Sequence, residues 1–407
     1  MSKLNNLKLN ILKAKQVRPR LSPERYESFL QWEKRVAEGL DGDSELIEEN
    51  IKLAKQKQRL QDMNRIERKS WREQTRYENA VSAYGKSIVE EMQKYGKGLA
   101  DKINLNPLVK KEGRNVWGVI HLSDIHANEL IRLPHNQYNF TVLSKRLKLQ
   151  IDESLKYFKF KGVTKVLFAV TGDNINSMRR LDELLNASTN RAKATTLLAH
   201  LLVQAVLDVR HKGYEIDIVS VLGNESRFEK EMTFSNEGLS DNFDFVVMSM
   251  VKIAVESMGV DGVNFISIDQ TEAVIDFGEQ SWLFLHDMGK VTDKQSSTQS
   301  TFGRYLGRGV KLDFICSGHI HAHRSTDLSC RAGSMAGSNS YNEVALNLIG
   351  RASGVCYVVD GKTRAYQYID LQHADNEGYE IESQLEAYHA KSESKLTTET
   401  TVFKVVI

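Results

Sequence analysis

The chain has 407 residues, of which 41% are hydrophobic, and its net charge at pH 7 is only +2. This length exceeds what one small core usually takes up, and this hydrophobic share excludes a chain that is disordered as a whole. The chain contains no run of about 18 apolar residues, so we expect no membrane partner. The three cysteines form no CxxC pair, so we expect reduced core thiols in a cytoplasmic protein.

The first 110 residues are basic and predicted to be helical. They carry 23 Lys/Arg against 16 Asp/Glu, a balance of +7, whereas the remainder carries 32 against 37, a balance of −5. Residues 22–24 (SPE) are typical of a helix start, and the proline-free stretch at about 45–95 predicts one or two long helices. These helices are expected to bind nucleic acid or, alternatively, to form a homo-oligomer or a solvated surface. Arginine and aromatic residues are interleaved within them at Trp71, Arg72, Arg76 and Tyr77.

After about residue 111 the pattern changes to short runs rich in β-branched and aromatic residues, which predict strands. These runs are VWGVIHLS, KVLFAVTG, IDIVSVLG, VNFISI, EAVIDFG, SWLFLHD and LDFICSG. Predicted helices at about 142–160, 180–210 and 241–258 alternate with them, which indicates an α/β layered fold over residues 111–373. The polar tail at 374–407 is expected to be loosely held, with VFKVVI as a candidate edge strand.

Side chains of the kind that bind metal ions follow five of the predicted strands. Any one of these short motifs is more often a turn or a cap, but the order and placement of all five favour a shared site. Four imidazoles, two carboxylates and one amide are enough for two coordination spheres if one aspartate bridges. The residues are Asp124 and His126, Asp173, Asn224, His286, and His319 and His321.

The series D-x-H, G-D, G-N, H and G-H-x-H resembles the signature of the calcineurin-like metallophosphoesterases over about residues 116–370. The resemblance implies a four-layer α/β/β/α sandwich behind the N-terminal helical extension, and it implies phosphoester hydrolysis. By the family pattern, one ion would be held by Asp124, His126 and His321, the other by Asn224, His286 and His319, with Asp173 bridging the two.

Two divalent ions held in this way would neutralise phosphate charge and lower the pKa of a bridging water. Mixed nitrogen and oxygen donors without a cysteine suit Mn²⁺, Zn²⁺, Fe or Mg²⁺. We favour manganese, because the nuclease-like members of the family resemble this chain most in their cytosolic character and basic extension.

One residue departs from the family pattern. Glu225 stands where the family usually has a histidine that acts as the general acid, and a carboxylate beside two dications should be ionised. Three alternatives follow: Glu225 is an acid of raised pKa, His323 or Arg227 takes its place, or the leaving group needs little protonation.

Two further segments are candidates for substrate contact. Residues 128–140 contain Arg132, His135 and Tyr138 between the first motif and a helix, where either a substrate loop or a plain surface loop would lie. Residues 332–343 (AGSMAGSNSYNE) follow the fifth motif and are rich in small side chains. The whole pattern predicts a phosphodiesterase that acts on nucleic acid. The alternatives are a phosphomonoesterase acting on a nucleotide or phosphoprotein, and a binding or assembly protein of weak activity.

Overall fold

The computed structural model describes residues 105–109, 115–228, 241–287, 295–345, 347 and 349–388. Nearer the N-terminus it describes only six helical residues: Gln31, Gln56, Gln58, Gln61, Asp62 and Arg65. The chain divides into two units, Met1–Tyr84 and Gly85–Ile407. The arginine and aromatic cluster at residues 71–77 and the expected edge strand VFKVVI lie outside the described residues, so both stay predictions.

Within its described ranges, the second unit contains thirteen strands and seven helices. The strands are β1 (Val116–Leu122), β2 (Ile131–Leu133), β3 (Asn136–Tyr138), β4 (Lys165–Val170), β5 (Glu215–Val221), β6 (Val263–Gln270), β7 (Glu272–Asp276), β8 (Ser281–Leu285), β9 (Phe314–Ser317), β10 (Arg324–Ser325), β11 (Ser329–Arg331), β12 (Ser353–Asp360) and β13 (Thr363–Asp370). The helices are α1 (Phe140–Lys161), α2 (Leu181–Leu185), α3 (Arg191–His211), α4 (Phe243–Ser257), α5 (Gln295–Leu306), α6 (Ser340–Val344) and α7 (Glu382–Tyr388). All seven predicted strands and all three predicted helical stretches are present, although the stretch at 180–210 is divided between α2 and α3.

Two sheets account for most of the strands. The larger sheet has the order β13-β12-β1-β4-β5-β6, in which β1, β4, β5 and β6 run parallel and the β12–β13 hairpin is antiparallel. The smaller sheet has the order β10-β11-β9-β8-β7, in which β8, β9 and β11 run parallel. In both sheets, parallel neighbours end at the same edge, so the turns that follow β1, β4 and β5, and those after β8 and β9, lie side by side.

Three hydrophobic clusters separate four layers. Alternate residues of one strand enter different clusters, because successive side chains of a strand point to opposite faces: Val119 of β1 packs between the sheets, whereas Ile120 packs against the helices. In β8, Trp282 packs between the sheets and Leu283 packs with Tyr305 of α5. The larger sheet is covered by α1, α3 and α4 and the smaller sheet by α5, which makes the α/β/β/α sandwich that the family resemblance implies.

Helix α3 lies at the centre of the helical layer. By length and composition it is apolar enough to cross a membrane, and 78% of its apolar window is buried inside this fold. It packs against α1 and α4. The side chain of Asn190, which precedes the helix, accepts a hydrogen bond from the Lys193 amide and so caps the N-terminus of α3. Burial in the core therefore accounts for its apolar character.

Both ends of the expected domain extend further than the sequence suggests. At the N-terminal side, the Val109 amide donates to the Gly213 carbonyl (2.8 Å) and Arg210 Nη1 donates to the Asn106 carbonyl (2.9 Å). At the C-terminal side, Leu385 of α7 is buried in the helical core. Residues 105–109 and the first part of the polar tail, to residue 388, therefore pack on the sandwich rather than lying free.

Candidate metal centre

The candidate ligands lie on turns with unusual backbone geometry. Among described residues other than glycine, only seven have a positive φ, and five of them are candidate ligands. Such a conformation costs roughly 1–3 kcal/mol per residue and persists where the surroundings over-determine it. These turns therefore lower the stability of the fold, and they direct the candidate ligand side chains inward at the strand ends. The five are Asp124, His126, Asp173, His319 and His321, with φ between 48° and 77°.

The first cluster contains Asp124, His126 and His321, whose ligand atoms all lie within 4.8 Å of one another. The Nε2 atoms of the two histidines are 3.1 Å apart, and His321 Nε2 is 3.5 Å from Asp124 Oδ1. Two imidazole nitrogens bound at about 2.1 Å to one ion, at angles near 90–110°, would be roughly 3.0–3.4 Å apart. The observed spacing therefore fits a shared divalent ion.

The second cluster contains Asp173, His286 and His319. His286 Nε2 lies 2.9 Å from Asp173 Oδ2, 3.2 Å from His319 Nδ1 and 3.1 Å from Asn224 Oδ1. Four oxygen and nitrogen donors thus converge on one buried point, and their separations again fit a single ion. The four histidines group as the family resemblance implies, with Asp173 beside His286 and His319.

The two clusters are neighbours. The His319 backbone amide, in the second cluster, donates to both carboxylate oxygens of Asp124, in the first, at 3.1 and 2.9 Å. The other oxygen of Asp173, Oδ1, accepts a hydrogen bond from the Glu225 amide at 2.7 Å. A bridging role for Asp173 between two ions stays a prediction, since the contacts place its Oδ2 only in the second cluster.

Two opposing effects set the pKa values of the clustered imidazoles: burial of the rings lowers them, and contact with buried carboxylates raises them. Burial lowers the pKa of His286, but the Asp173 and Asp124 carboxylates more than offset burial and raise that pKa to about 10. Burial dominates at His321 and lowers its pKa to about 4. Since a metal ion binds the neutral ring, a proton and a divalent cation compete for the same nitrogen at each of these positions.

The outward-facing ring nitrogens of two of the clustered histidines, His286 and His321, also have partners, whereas His126 Nδ1 is buried without one among the described residues. His286 Nδ1 lies 2.7 Å from the Thr171 carbonyl oxygen, and His321 Nδ1 lies 2.9 Å from Asn342 Nδ2. Such partners fix which nitrogen of a ring faces an ion. Thr171 stands within the second motif, but nothing in the sequence singled out Asn342 for this contact.

Asp244, which the sequence analysis did not select, joins two of the ligand turns. Its carboxylate accepts three backbone hydrogen bonds: Oδ2 from Asp173 (3.1 Å) and Gly223 (2.8 Å), and Oδ1 from Asn174 (2.9 Å). The two turns lie in close contact: a Cβ added to Gly172 would lie only 2.5 Å from the Gly223 amide nitrogen. The fully buried Asp244, at the start of α4, therefore fixes the spacing between Asp173 and Asn224.

Glu225 forms an ion pair. Its Oε2 accepts a hydrogen bond from Arg179 Nη2 at 2.8 Å, and its Oε1 accepts one from Asn224 Nδ2 at 2.9 Å. Burial and the Asp173 carboxylate raise the pKa of Glu225, but a hydrogen bond from Ser177, Arg179 and His126 together outweigh them and lower it. Pairing with Arg179 favours an ionised Glu225 and argues against an acid of raised pKa, and the catalytic role of Glu225 stays a prediction.

The two residues considered as stand-ins lie in different surroundings. His323 packs against tyrosines of β13, with ring centroids 5.0 Å from Tyr368, and burial lowers its pKa. Arg227 follows the Glu225 turn and interacts electrostatically with Glu225 and Asp173. Arg227 is thus the one of the two that interacts with candidate site residues, and the roles of both stay predictions.

The three candidates for substrate contact separate as well. Tyr138 is 1% exposed and its hydroxyl donates to the Ile125 carbonyl at 2.5 Å, so it braces the turn between Asp124 and His126 and is not a substrate contact. His135 is exposed and lies 2.6 Å from Glu343. Arg132 lines a cavity beside the first cluster.

No protein-family model matches the chain, and no curated protein matches it. Solved structures that match include a predicted phosphoesterase from Streptococcus pneumoniae TIGR4, at 12% identity and a TM-score of 0.29, over 66% of this chain and 95% of that one. Vacuolar Protein Sorting 29 from Cryptosporidium parvum matches at 13% and 0.29, over 64% and 100%. Sulfate thiohydrolase SoxB from Thermus thermophilus matches at 12% and 0.31, over 69% and 61%. These similarities are low, and the interpretation of the site rests on its own contacts.

Proposed function

We propose that this chain is a metal-dependent phosphoesterase of the calcineurin-like type that hydrolyses phosphodiester bonds in nucleic acid. The observation that carries the proposal is the pair of adjacent His/Asp clusters, built on strained turns at the ends of parallel strands. Strain of this kind is typical of functional sites, and the donor spacings fit one divalent ion in each cluster.

Bound there, divalent ions would supply charge neutralisation at the phosphate and a water of lowered pKa. Asp124, His126 and His321 would hold the first ion, and His286, His319 and Asn224 the second, with Asp173 between them. The donors are nitrogen and oxygen only, which suits manganese, with zinc, iron or magnesium as further candidates.

The chain's own residues would contribute charge beside the metal clusters. Arg179 is held by Glu225 and also donates to the Asn224 carbonyl at 3.3 Å, which places a partly exposed guanidinium beside the second cluster. A guanidinium cannot give up its proton at neutral pH, so Arg179 would stabilise negative charge without acting as a general acid. Protonation of the sugar oxygen that leaves from nucleic acid would therefore need a donor other than Arg179.

Nucleic acid as the substrate rests on the +7 balance of residues 1–110 and their interleaved aromatic residues. Basic segments bind phosphate backbones through counterion release, and aromatic rings stack on unpaired bases. The same helices are candidates for homo-oligomer formation, which would be expected to change the mass in solution rather than the salt dependence of binding.

Two assays test the proposal in order. Turnover of bis-(p-nitrophenyl) phosphate with Mn²⁺ should be abolished by Asp173→Asn. If the wild type hydrolyses neither this diester nor p-nitrophenyl phosphate, only a binding or assembly protein remains. Digestion of labelled single- and double-stranded DNA and RNA then separates a nuclease from a phosphomonoesterase, which would instead hydrolyse p-nitrophenyl phosphate or a nucleotide.

A further inference from the structure

A cavity of about 110 Å³ lies beside the first cluster, where the two unassigned sequence segments meet. Residues 128–140 contribute Glu129 and Arg132 to its wall, and residues 332–343 contribute Asn339 and Tyr341. Two contacts connect the cavity to the candidate ligands: the Glu129 amide donates to the His126 carbonyl at 2.9 Å, and Asn342, next to Tyr341, contacts His321.

The charges in the wall exclude a phosphate subsite. Two arginines face three carboxylates, which leaves the wall with no excess of positive charge. One of the two arginines, Arg180, already forms ion pairs: its Nη2 lies 2.9 Å from Glu183 and its Nε lies 3.3 Å from Asp182. A site with amide, carboxylate and guanidinium groups in balance suits a neutral ligand that both donates and accepts hydrogen bonds.

The cavity also contains a surface for stacking. The Arg180 guanidinium lies 3.9 Å over the ring of Tyr341, and the side chains of both residues are partly exposed. Bases stack on aromatic rings and on guanidinium planes alike. In the part of the chain that the structure describes, Nε and Nη2 of Arg132 are buried without a hydrogen-bond partner, which leaves donors for an acceptor on a ligand.

From this geometry we infer that the cavity binds the base of a nucleoside adjoining the scissile phosphate, stacked on the Tyr341–Arg180 pair. Its volume is below the roughly 300–1,000 Å³ of pockets that enclose drug-sized ligands, so it takes one ring system rather than a whole nucleotide. This inference rests on the proposed function, because it places the phosphate of the same substrate at the metal clusters.

The test compares two substrates with one leaving group. Thymidine 5′-(p-nitrophenyl phosphate) and methyl p-nitrophenyl phosphate both release p-nitrophenolate, so the ratio of their kcat/KM values measures recognition of the nucleoside. The thymidine 3′ ester is assayed in parallel, because the base on either side of the phosphate could be the one bound. Stacking of one base is worth about 10-fold or more in binding.

We expect one nucleoside ester to be favoured about 10-fold or more in the wild type, and Tyr341→Leu or Arg132→Gln to bring that ratio close to one while hydrolysis of the methyl ester persists. Phe160→Leu and Arg308→Gln are matched controls, since both residues are exposed on other surfaces. Ratios near one in the wild type for both esters, or an equal loss on nucleoside and methyl esters in the variants, would overturn the inference.

Failure of the proposed function is recognised separately, as absence of methyl ester hydrolysis with Mn²⁺. In that case, saturation-transfer NMR with the four deoxynucleoside monophosphates decides the inference by itself, with ribose 5-phosphate as the control. Transfer to base protons that disappears in Tyr341→Leu supports the base pocket, and no transfer to any base in the wild type refutes it.

Discussion

The substitution Asp244→Asn tests whether the ligand turns depend on one buried carboxylate. Asp244 accepts three backbone hydrogen bonds, and an asparagine that keeps its carbonyl oxygen at the Oδ2 position retains only the two from Asp173 and Gly223. The amide nitrogen then faces the Asn174 amide, which loses its acceptor. The change therefore weakens the anchor of the turn after β4, by one lost bond and two uncharged ones, without altering any candidate ligand.

The magnitude follows from the bonds lost. One buried N–H without an acceptor costs about 1–3 kcal/mol, and the two remaining bonds lose their charge assistance, at about 1 kcal/mol each. The sum, about 3–5 kcal/mol, lies at or below the 5–15 kcal/mol that typically stabilises a domain, so we expect the variant to fold. Alanine would leave three amides without acceptors and is less suitable.

The assay is calorimetric titration with Mn²⁺, together with urea unfolding of the metal-free protein. We expect Asp244→Asn to weaken binding at the second cluster about 10-fold or more, because the turn that carries Asp173 loses the Asn174 bond and the bonds from Asp173 and Gly223 lose their charge assistance. The first cluster should be affected less. The matched control is Asp217→Asn, a buried aspartate at the far end of β5 that pairs with Lys165. Equal Mn²⁺ binding in the two variants would refute the reasoning.

Other expected outcomes concern Glu225, Tyr138 and the N-terminal extension. Glu225→Gln should slow p-nitrophenyl esters and dinucleotides by similar factors, since an ionised carboxylate paired with Arg179 does not donate a proton; a selective loss on dinucleotides, of the 10²–10⁴-fold size of general acid catalysis, would contradict this. Tyr138→Phe should lower the free energy of unfolding by about 0.5–1.5 kcal/mol and reduce turnover, because the turn between two ligands loses a hydrogen bond. Urea titration and initial rates measure the two effects, and wild-type values in both would contradict this role of Tyr138. Deletion of residues 1–104 should spare hydrolysis of a small diester but flatten the salt dependence of DNA binding. For the full chain, the logarithm of the binding constant should fall with the logarithm of salt concentration by roughly 0.9 per phosphate neutralised. Unchanged salt dependence with a lower mass in solution would instead indicate that these residues serve oligomerisation.

Most of the layered fold could be predicted from apolar runs, because the inner strands β1, β4, β5, β8 and β9 are buried on both faces and are therefore nearly continuously hydrophobic. The β12–β13 hairpin was missed, although Asp360-Gly361 between two apolar runs is a strong hairpin signal. Helix α5 was missed because its sequence, QSSTQSTFGRYL, is polar and contains a glycine. The short strands β10 and β11 depend on pairing with β9, which no local pattern encodes.

The candidate ligands could be predicted because they follow strands in a fixed order, and strand ends converge in a parallel sheet. Residues that hold the ligands could not, since their contacts join distant parts of the chain. Asp244 reaches Asp173 across 71 positions, and Arg179 reaches Glu225 across 46. Tyr138 was misread for the same reason: a tyrosine in a polar segment gives no indication that its ring is buried.

The central claim is that two divalent ions share this site, and the most direct measurement is Mn²⁺ stoichiometry by elemental analysis combined with electron paramagnetic resonance. The wild type should bind two Mn²⁺ per chain with a spin-coupled signal, and Asp173→Asn should lose the coupling and at least one ion. A wild-type chain that stays empty in excess Mn²⁺, Zn²⁺ and Fe²⁺, or that binds one uncoupled ion, would contradict the dinuclear assignment.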